Sequence, residues 1–410
     1  MSIVETESHG GLRKDRRFIL GVLSVGHGTT HWFDHSFSVL LPTITASLGL
    51  SMLQVGSIAT VRQIGFGVVN LPGGLIVDML RGHWGLILTG CLVWAALFYA
   101  LLGTSPGYAF FIVMVFFTSL PGALWHLPAT AALSQRFPEW RGFAISIHGF
   151  GANVGNIMGP LVAGALLVFL SWRGILFIYI VPALLMAFMV WLFLQNIGKG
   201  GPQQRRSLKE QLVSALPLLK NRIILGLAVV ALLRGMALNS QFIWTPFYLK
   251  DEIGMGTVGV GIHIALLTGM GIVSTPILGA MSDRFNRKYI LAPGFAFSAV
   301  LAALIVNVGG GIGLTAVLAA TGLFSFALHQ IIQASVLDQV SEGTEATAIG
   351  FLFGASSMVG AFSPLIAVAI IESFGLDKVF YYQAGLTTIA LVILMFIPLR
   401  KRLISEAKVT

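Results

Sequence analysis

Three histidines near the start of the chain are spaced so that they could do chemistry together. His27, His31 and His35 recur at every fourth residue, so on a helix they share one face, and Asp34 lies beside that face. Histidine changes charge near neutral pH, so this stripe with Asp34 could take up and release protons. Histidines one helical turn apart, together with an aspartate, could also bind a transition metal.

Two arginines indicate a third kind of chemistry. Arg62 and Arg234 each lie midway along an apolar segment, where a charge costs roughly 2.5–3.5 kcal/mol on membrane-insertion scales and is therefore a candidate for function. A guanidinium group holds carboxylate or phosphonate in a fork of donors, which favours an anionic ligand. Both arginines would repel a bare cation, so we expect proton coupling and anion recognition rather than a metal site. The alternative, that most of these side chains only bridge helices, stays open.

The composition requires a lipid environment for the elements that position these residues. Of 410 residues, 56% are hydrophobic and 10% are charged, whereas soluble globular proteins carry about 25% charged residues. A bilayer accommodates such a chain if the backbone is hydrogen-bonded internally as helix. The net charge of +9 does not indicate nucleic acid, because the basic residues lie in short loops, and the single cysteine, Cys91, excludes an internal disulfide framework.

Twelve apolar segments are long enough to cross a membrane as helices, which takes about 20 residues each. The first six cover residues 18–41, 52–77, 84–103, 108–133, 142–169 and 174–195. The second six cover residues 222–248, 256–281, 288–308, 311–337, 346–372 and 379–398. The predicted organisation is a tail over 1–17, a six-helix bundle over 18–195, a linker over 196–221, a second bundle over 222–398 and a tail over 399–410. Of 25 Lys and Arg residues, 20 fall in the tails and loops on one side of this arrangement, so the positive-inside rule predicts that both termini are cytoplasmic.

The two halves are repeats of each other, because several features recur after about 205 residues. Asn239 stands in the second half where Asp34 stands in the first, so we expect the coupling charge to reside in one half. Parallel repeats of six helices form two bundles related by an axis along the membrane normal. The other pairs in or near register are Gly74 with Gly279, Asp78 with Asp283, His126 with His329 and Pro160 with Pro364.

The loop after the eighth segment carries a family motif. It reads GAMSDRFNRK over residues 279–288 and resembles the signature loop of the major facilitator superfamily, whereas its first-half counterpart has Met79 where the family has a base. The resemblance covers the whole chain and implies an all-α membrane protein of twelve helices in two pseudo-symmetric bundles. Such loops place an aspartate near helix dipoles and cations and could lock one conformation. The predicted latch comprises Gly74, Asp78, Arg81, Gly279, Asp283, Arg284, Arg287 and Lys288.

The fifth segment carries glycines at helical spacing around Pro160. Gly155, Gly159, Pro160 and Gly164 resemble a motif of the superfamily's exporters, and they also allow close helix packing. The stretch HWFDH at 31–35 and the residues around 126–128 are similar to bacterial exporters of the fosmidomycin-resistance type. This resemblance implies a bacterial inner-membrane protein that exports its substrate in exchange for protons.

Together these features predict a proton-coupled secondary transporter of a small, anionic organic molecule. We expect export by antiport, with proton-coupled uptake (symport) as the alternative, and a histidine-rich metalloenzyme or metal transporter as an alternative of another class. We expect no enzymatic activity and no cofactor, and a monomer whose partners are the substrate, protons and the bilayer. In the superfamily, helices 1, 4, 7 and 10 border the central cavity. The predicted substrate-binding residues are Arg62, Arg234, His126, His329, Trp32, Trp125, Gln63, Asn239, Gln241, Gln330 and Gln333, and the predicted proton-coupling residues are Asp34, His31, His35 and His27.

Overall fold

The computed structural model describes residues 15–199, 220–325, 327–340 and 356–399, together with positions 210 and 354. Most of the predicted tails and linker, and the start of the eleventh segment, lie outside these residues. In the first half the helices are α1 (Arg16–Leu48), α2 (Met52–Met79), α3 (Trp84–Gly103), α4 (Tyr108–Arg136), α5 (Arg141–Leu166) and α6 (Trp172–Leu194). In the second half they are α7 (Arg222–Phe247), α8 in two parts (Thr257–Gly269 and Gly271–Arg284), α9 (Arg287–Leu304), α10 in two parts (Ile312–Ser325 and Ala327–Leu337), α11 (Ser363–Phe374) and α12 (Lys378–Phe396).

Local sequence signals set where several helices begin and end. Asp15 caps α1 by accepting hydrogen bonds from the backbone N–H groups of Arg17 and Phe18. The helix continues through Pro42 and stops at Gly49, whose φ of 62° is left-handed. The predicted end of α1 at residue 41 was therefore too early. Helix α2 begins with a capping box at Ser51.

Ten helices in the described part of the chain are long and apolar enough to cross a membrane. Helices α1 and α5 are not among them, although the sequence predicts both as spans. Their compositions explain this: α1 carries the histidine stripe, Asp34 and several hydroxyl side chains, and α5 carries six glycines, two asparagines and His148. The two helices that least resemble lipid-facing spans are thus the ones that concentrate polar chemistry.

The apolar side chains divide between the outer surface and three internal clusters. Large exposed residues such as Leu185, Phe188 and Phe396 cover the surface, as a lipid environment requires. One buried cluster lies within each half. The third joins the halves, with Phe37 of α1 in the same cluster as Trp244 of α7. It lies at the end of the molecule where α1 and α5 end and α2 and α8 begin, which we call the outer end.

Glycines let α5 pack directly on the backbones of α1 and α8. A side chain at Gly155 would collide with the carbonyl oxygen of Gly28, and a Cβ on Gly159 would lie 2.5 Å from the carbonyl oxygen of Trp32. Toward the outer end, a Cβ on Gly164 would lie 2.6 Å from the carbonyl oxygen of Thr257 in α8. Close backbone approach of this kind is the usual role of small residues in membrane helices. Helix α5 therefore ties the polar helix α1 to the opposite half.

Candidate functional site

A cavity between the two halves brings together the ionisable residues of α1 and α2. It has a volume of about 80 Å³, enough for a few water molecules. Asp34, His35 and Ser38 come from α1. Arg62 comes from α2, and Asn239 and Phe242 come from α7 of the other half. The full lining is Asp34, His35, Ser38, Ala59, Arg62, Gln63, Phe66, Asn239, Phe242, Ile243 and Pro364.

Arg62 is held by Asp34 through both side chain and backbone. Its guanidinium donates to the carboxylate Oδ1 of Asp34 and, at 2.8 Å, to the Asp34 carbonyl oxygen. The same guanidinium lies 4.5 Å from the ring centroid of Phe37, a cation–π contact. The Arg62 side chain is 11% exposed and that of Asp34 is 35% exposed. The carboxylate is thus the member of the pair that is more open to the cavity.

The cavity is crossed by a hydrogen bond between the halves. Gln63 of α2 donates from Nε2 to Oδ1 of Asn239 in α7. Asn239 is the repeat counterpart of Asp34, and both residues line the same cavity. One half therefore presents a carboxylate and the other a neutral amide to a common space.

The histidines of α1 form a continuous column that leads from this cavity into the first half. The rings of His35 and His31 stack with centroids 5.9 Å apart, and those of His31 and His27 lie 4.7 Å apart. His126 of α4 approaches His27 at 4.5 Å, and His148 of α5 stacks on His27 at 4.0 Å. His148 had no assigned role in the sequence-based site, because nothing in its local spacing connects it to α1.

Arg234 does not reach the central cavity. It lines a separate cavity of about 40 Å³ within the second half, together with Gln241 and Gln383, and donates to the carbonyl oxygen of Ser325. The expectation that Arg62 and Arg234 would face one anion from opposite halves therefore does not match this arrangement. A midpoint position along a helix does not fix the face on which a side chain lies.

Of the predicted substrate-binding residues, Arg62, Gln63 and Asn239 line the central cavity, and the others are not part of its lining. Trp125 is fully buried against Gly26 of α1, and Trp32 packs on Tyr179 with ring centroids 5.8 Å apart. Nε2 of Gln333 is 3.5 Å from Nε2 of His329, one turn earlier on α10. Gln330 of the same helix is exposed.

The predicted latch in the second half forms a set of ionic contacts. Arg287 bonds the exposed Asp283 at 2.5 Å and Asp338, at the end of α10, at 3.1 Å. Lys288 donates to the carbonyl oxygen of Ile397 at 3.1 Å, which joins this loop to the end of α12. Arg284 is exposed, and a side chain added at Gly279 would meet no atom within 4 Å. Asp338 was missing from the predicted latch, although the sequence places it at the end of the tenth segment.

The first half has a contact that corresponds to the one between Arg287 and Asp338, but its acceptor is a neutral side chain. Arg81 donates to Oε1 of Gln135, at the end of α4, and to the carbonyl oxygen of Gly198 at 3.3 Å. Gln135 and Asp338 are 203 residues apart, close to the repeat offset, so the repeat could have identified both partners. The surroundings of Gly74 and the side chain of Asp78 lie outside what the structure describes.

Comparison with known proteins places this architecture in a family. The family model of the Major Facilitator Superfamily matches residues 23–310 and 269–408. The hexuronate transporter of Bacillus subtilis is 24% identical over 398 residues, covering 90% of this chain and 92% of that protein. The fosmidomycin resistance protein of Escherichia coli is 21% identical over 282 residues, covering 67% of each chain.

Solved structures show the same fold. A bacterial homologue of the human lysosomal transporter Spinster, in an inward-facing and unoccupied conformation, superposes with a TM-score of 0.77 at 15% identity, covering 93% of this chain and 95% of that one. The nucleoside transporter NupG superposes with a TM-score of 0.75 at 14% identity, covering 92% and 98%. With the family model matching most of its length, this chain belongs to the Major Facilitator Superfamily and is a multi-pass membrane transporter of small molecules rather than an enzyme.

Proposed function

We propose that this transporter couples the movement of a small organic anion to protons by alternating access at the cavity between its halves. The observation that carries the proposal is the pair formed by Arg62 and Asp34 in that cavity. Arg62 is the cation of the cavity lining, and Asp34 is the carboxylate that occupies it. The relatives support an anionic substrate, because one is named for hexuronate and another, from Staphylococcus aureus, for nitrate.

The pair suggests how proton and anion binding are linked. While Asp34 is ionised, its carboxylate satisfies the guanidinium of Arg62, and a substrate anion would have to displace it or lie beside a like charge. Protonation of Asp34 removes that charge and leaves the donors of Arg62 available. Anion and proton then bind together, which favours symport, the alternative considered from the sequence.

Export by antiport is the second candidate, and it rests on the glycines around Pro160 and on the fosmidomycin resistance protein among the relatives. The contacts of Gly155, Gly159 and Gly164 account for those glycines by packing, a role that serves transport in either direction. In antiport, binding of a proton would have to release the anion. In the Arg62–Asp34 pair, binding of a proton to Asp34 instead leaves the guanidinium of Arg62 available to the anion, so this geometry favours symport.

The packing between the halves joins them at the outer end and at mid-height, as one conformation of alternating access requires. Gly164 of α5 touches α8 near the outer end, and Thr268 of α8 donates to the carbonyl oxygen of Asn156 at mid-height at 2.7 Å. If the Lys and Arg distribution sets both termini in the cytoplasm of a bacterial inner membrane, these contacts close the outside. We propose that the protein acts as a monomer. The conformation closed at the outer end is then one of the two conformations between which it alternates.

The test is proton-driven flux in proteoliposomes with a pH gradient imposed in either direction and a hexuronate as the organic anion. The wild-type protein should accumulate the anion in the direction of proton flow. Asp34→Asn should lose this accumulation, because an amide cannot alternate between a protonated and a charged form. It should keep counterflow exchange, which needs no change of protonation. Asp377→Asn, which removes an exposed carboxylate bonded to Lys378 at the start of α12, is the matched control and should behave as wild type.

Two outcomes contradict the proposal. Proton-driven accumulation by Asp34→Asn at the wild-type level would remove Asp34 from coupling. Accumulation of the anion against the direction of proton flow would replace symport by antiport.

A further inference from the structure

A cluster of histidines lies away from the central cavity, where α1 faces α4 and α5. His27 and His31 are one turn apart on α1, and His126 reaches them from α4. One ring nitrogen from each of the three lies within 4.8 Å of the others. Two imidazoles at i and i+4 on one helix with a third from a neighbouring helix form a common arrangement of ligands for zinc-class metals.

The hydrogen bonds around the cluster set the ring tautomers for metal binding. Nδ1 of His27 lies 2.9 Å from the backbone carbonyl oxygen of His148. A carbonyl oxygen only accepts, so Nδ1 carries the proton and Nε2 carries a lone pair. That Nε2 is buried without a hydrogen-bond partner, in a side chain that is 5% exposed. A buried lone pair without a donor is costly, and a bound ion would satisfy it.

His31 is oriented in the same way. Its Nδ1 lies 2.8 Å from Oδ1 of Asn156, an acceptor on α5. Nε2 of His31 is then the free nitrogen. Histidines that bind metals usually donate their second ring N–H to a carbonyl or carboxylate oxygen, and two of these three already do so toward oxygen acceptors.

The charges that would oppose a cation are neutralised or distant. Arg62 is paired with Asp34 on the cavity side of α1. Of the three histidines, His31 is nearest in sequence to Asp34, three residues away or about 4.5 Å along a helix at 1.5 Å per residue, so the negative carboxylate of the pair lies on the same helix as the cluster. Arg234 lies in the other half and lines a different cavity. The repulsion that argues against a metal in the sequence is therefore offset by Asp34 in the case of Arg62, and Arg234 does not line the same cavity.

The geometry points to a binding site for one divalent transition-metal ion of the zinc class, held by His27, His31 and His126. Three neutral imidazoles suit zinc, cobalt, nickel or copper rather than calcium or magnesium, which prefer oxygen ligands. Bonds of about 2.0–2.1 Å in tetrahedral geometry place ligand nitrogens about 3.3 Å apart, so nitrogens that lie within 4.8 Å of one another must approach by at most roughly 1.5 Å. Binding therefore requires small side-chain rotations, and three protein ligands leave a fourth position for water. The ion would brace α1 against α4, and its ligands would not include Asp34 or Arg62, the pair on which the proposed coupling rests.

The experiment is a metal titration of the purified full-length protein after removal of any affinity tag and stripping with a chelator. Calorimetry with Zn²⁺ gives stoichiometry and affinity, and visible absorption with Co²⁺ reports nitrogen coordination. One ion per chain is expected, with the absorption bands of a four-coordinate site. His126→Gln should lower the affinity at least tenfold, and Asn156→Ala, which removes only the partner of His31, should lower it roughly 10- to 100-fold.

The matched control is His263→Gln, which changes a buried histidine of α8 bonded to Gly259 and Thr315. It should leave the affinity unchanged. Thermal unfolding without metal shows which variants are folded. If His126→Gln is not folded, Asn156→Ala takes its place as the cluster variant. Less than one ion per two chains, or equal affinities for the wild type and a folded cluster variant, would overturn the site.

Discussion

Gly164 offers the sharpest test of how the halves pack. A Cβ at this position would lie 2.6 Å from the carbonyl oxygen of Thr257 and 3.0 Å from Cα of Gly261, whereas ordinary contact begins at 3.4 Å. Both obstacles are backbone atoms, so neither can rotate away, and the helices must part by about 0.8 Å, the difference between 3.4 and 2.6 Å. Overpacking of this kind costs about 1–3 kcal/mol, which corresponds to a shift of roughly 5- to 150-fold in a two-state equilibrium.

Under the proposed alternating access, this contact is lost when the outer end opens, so Gly164→Ala should favour the conformation in which that end is open. Spin labels at Leu53 and Phe374, which are 55% and 72% exposed at the outer end of opposite halves, report the separation by pulsed electron resonance. The buried Cys91 is replaced by alanine in the background protein. The distance distribution should gain population at longer separations.

The control is Gly149→Ala on the same helix, where an added Cβ meets no atom within 4 Å. It adds the same methyl group without a contact between the halves. An unchanged distribution in Gly164→Ala, or an equal shift in both variants, would refute the assignment of this contact to closure.

Two further pairs of substitutions test the site and the latch. Arg62→Lys keeps the charge but loses the guanidinium fork, so the apparent affinity for an anionic substrate should fall about tenfold or more. Arg234→Lys, in its separate cavity, should change the affinity much less, and equal losses in a transport assay would return Arg234 to the binding site. Asp338→Asn should lower the free energy of unfolding by about 1–3 kcal/mol, because it removes a charge-assisted bond whose carboxylate is 9% exposed. Asp283→Asn, with a 69% exposed carboxylate, should cost less than about 1 kcal/mol, and thermal unfolding that ranks them the other way would contradict this order.

Length and apolarity determined most of the architecture from the sequence. Ten of the predicted segments correspond to helices of the described residues that are long and apolar enough to cross a membrane, because burying a backbone in lipid leaves few alternatives to a helix. The repeat offset related Asp34 to Asn239. The same offset relates Gln135 to Asp338, the partners of Arg81 and Arg287 in the two halves. The spacing of His27, His31 and His35 placed them on one face without further information.

Only the tertiary structure decided which of these residues meet. Arg62 and Arg234 are alike in sequence, each midway along a helix, yet one pairs with Asp34 between the halves and the other lies within a half. The rotation of each helix about its axis sets that difference, and it follows from packing against neighbours. His148 and Asn156 join the histidines of α1 because the glycines of α5 bring two backbones into contact. Spacing along one helix is a local property of the sequence, whereas proximity between helices depends on every side chain that separates them.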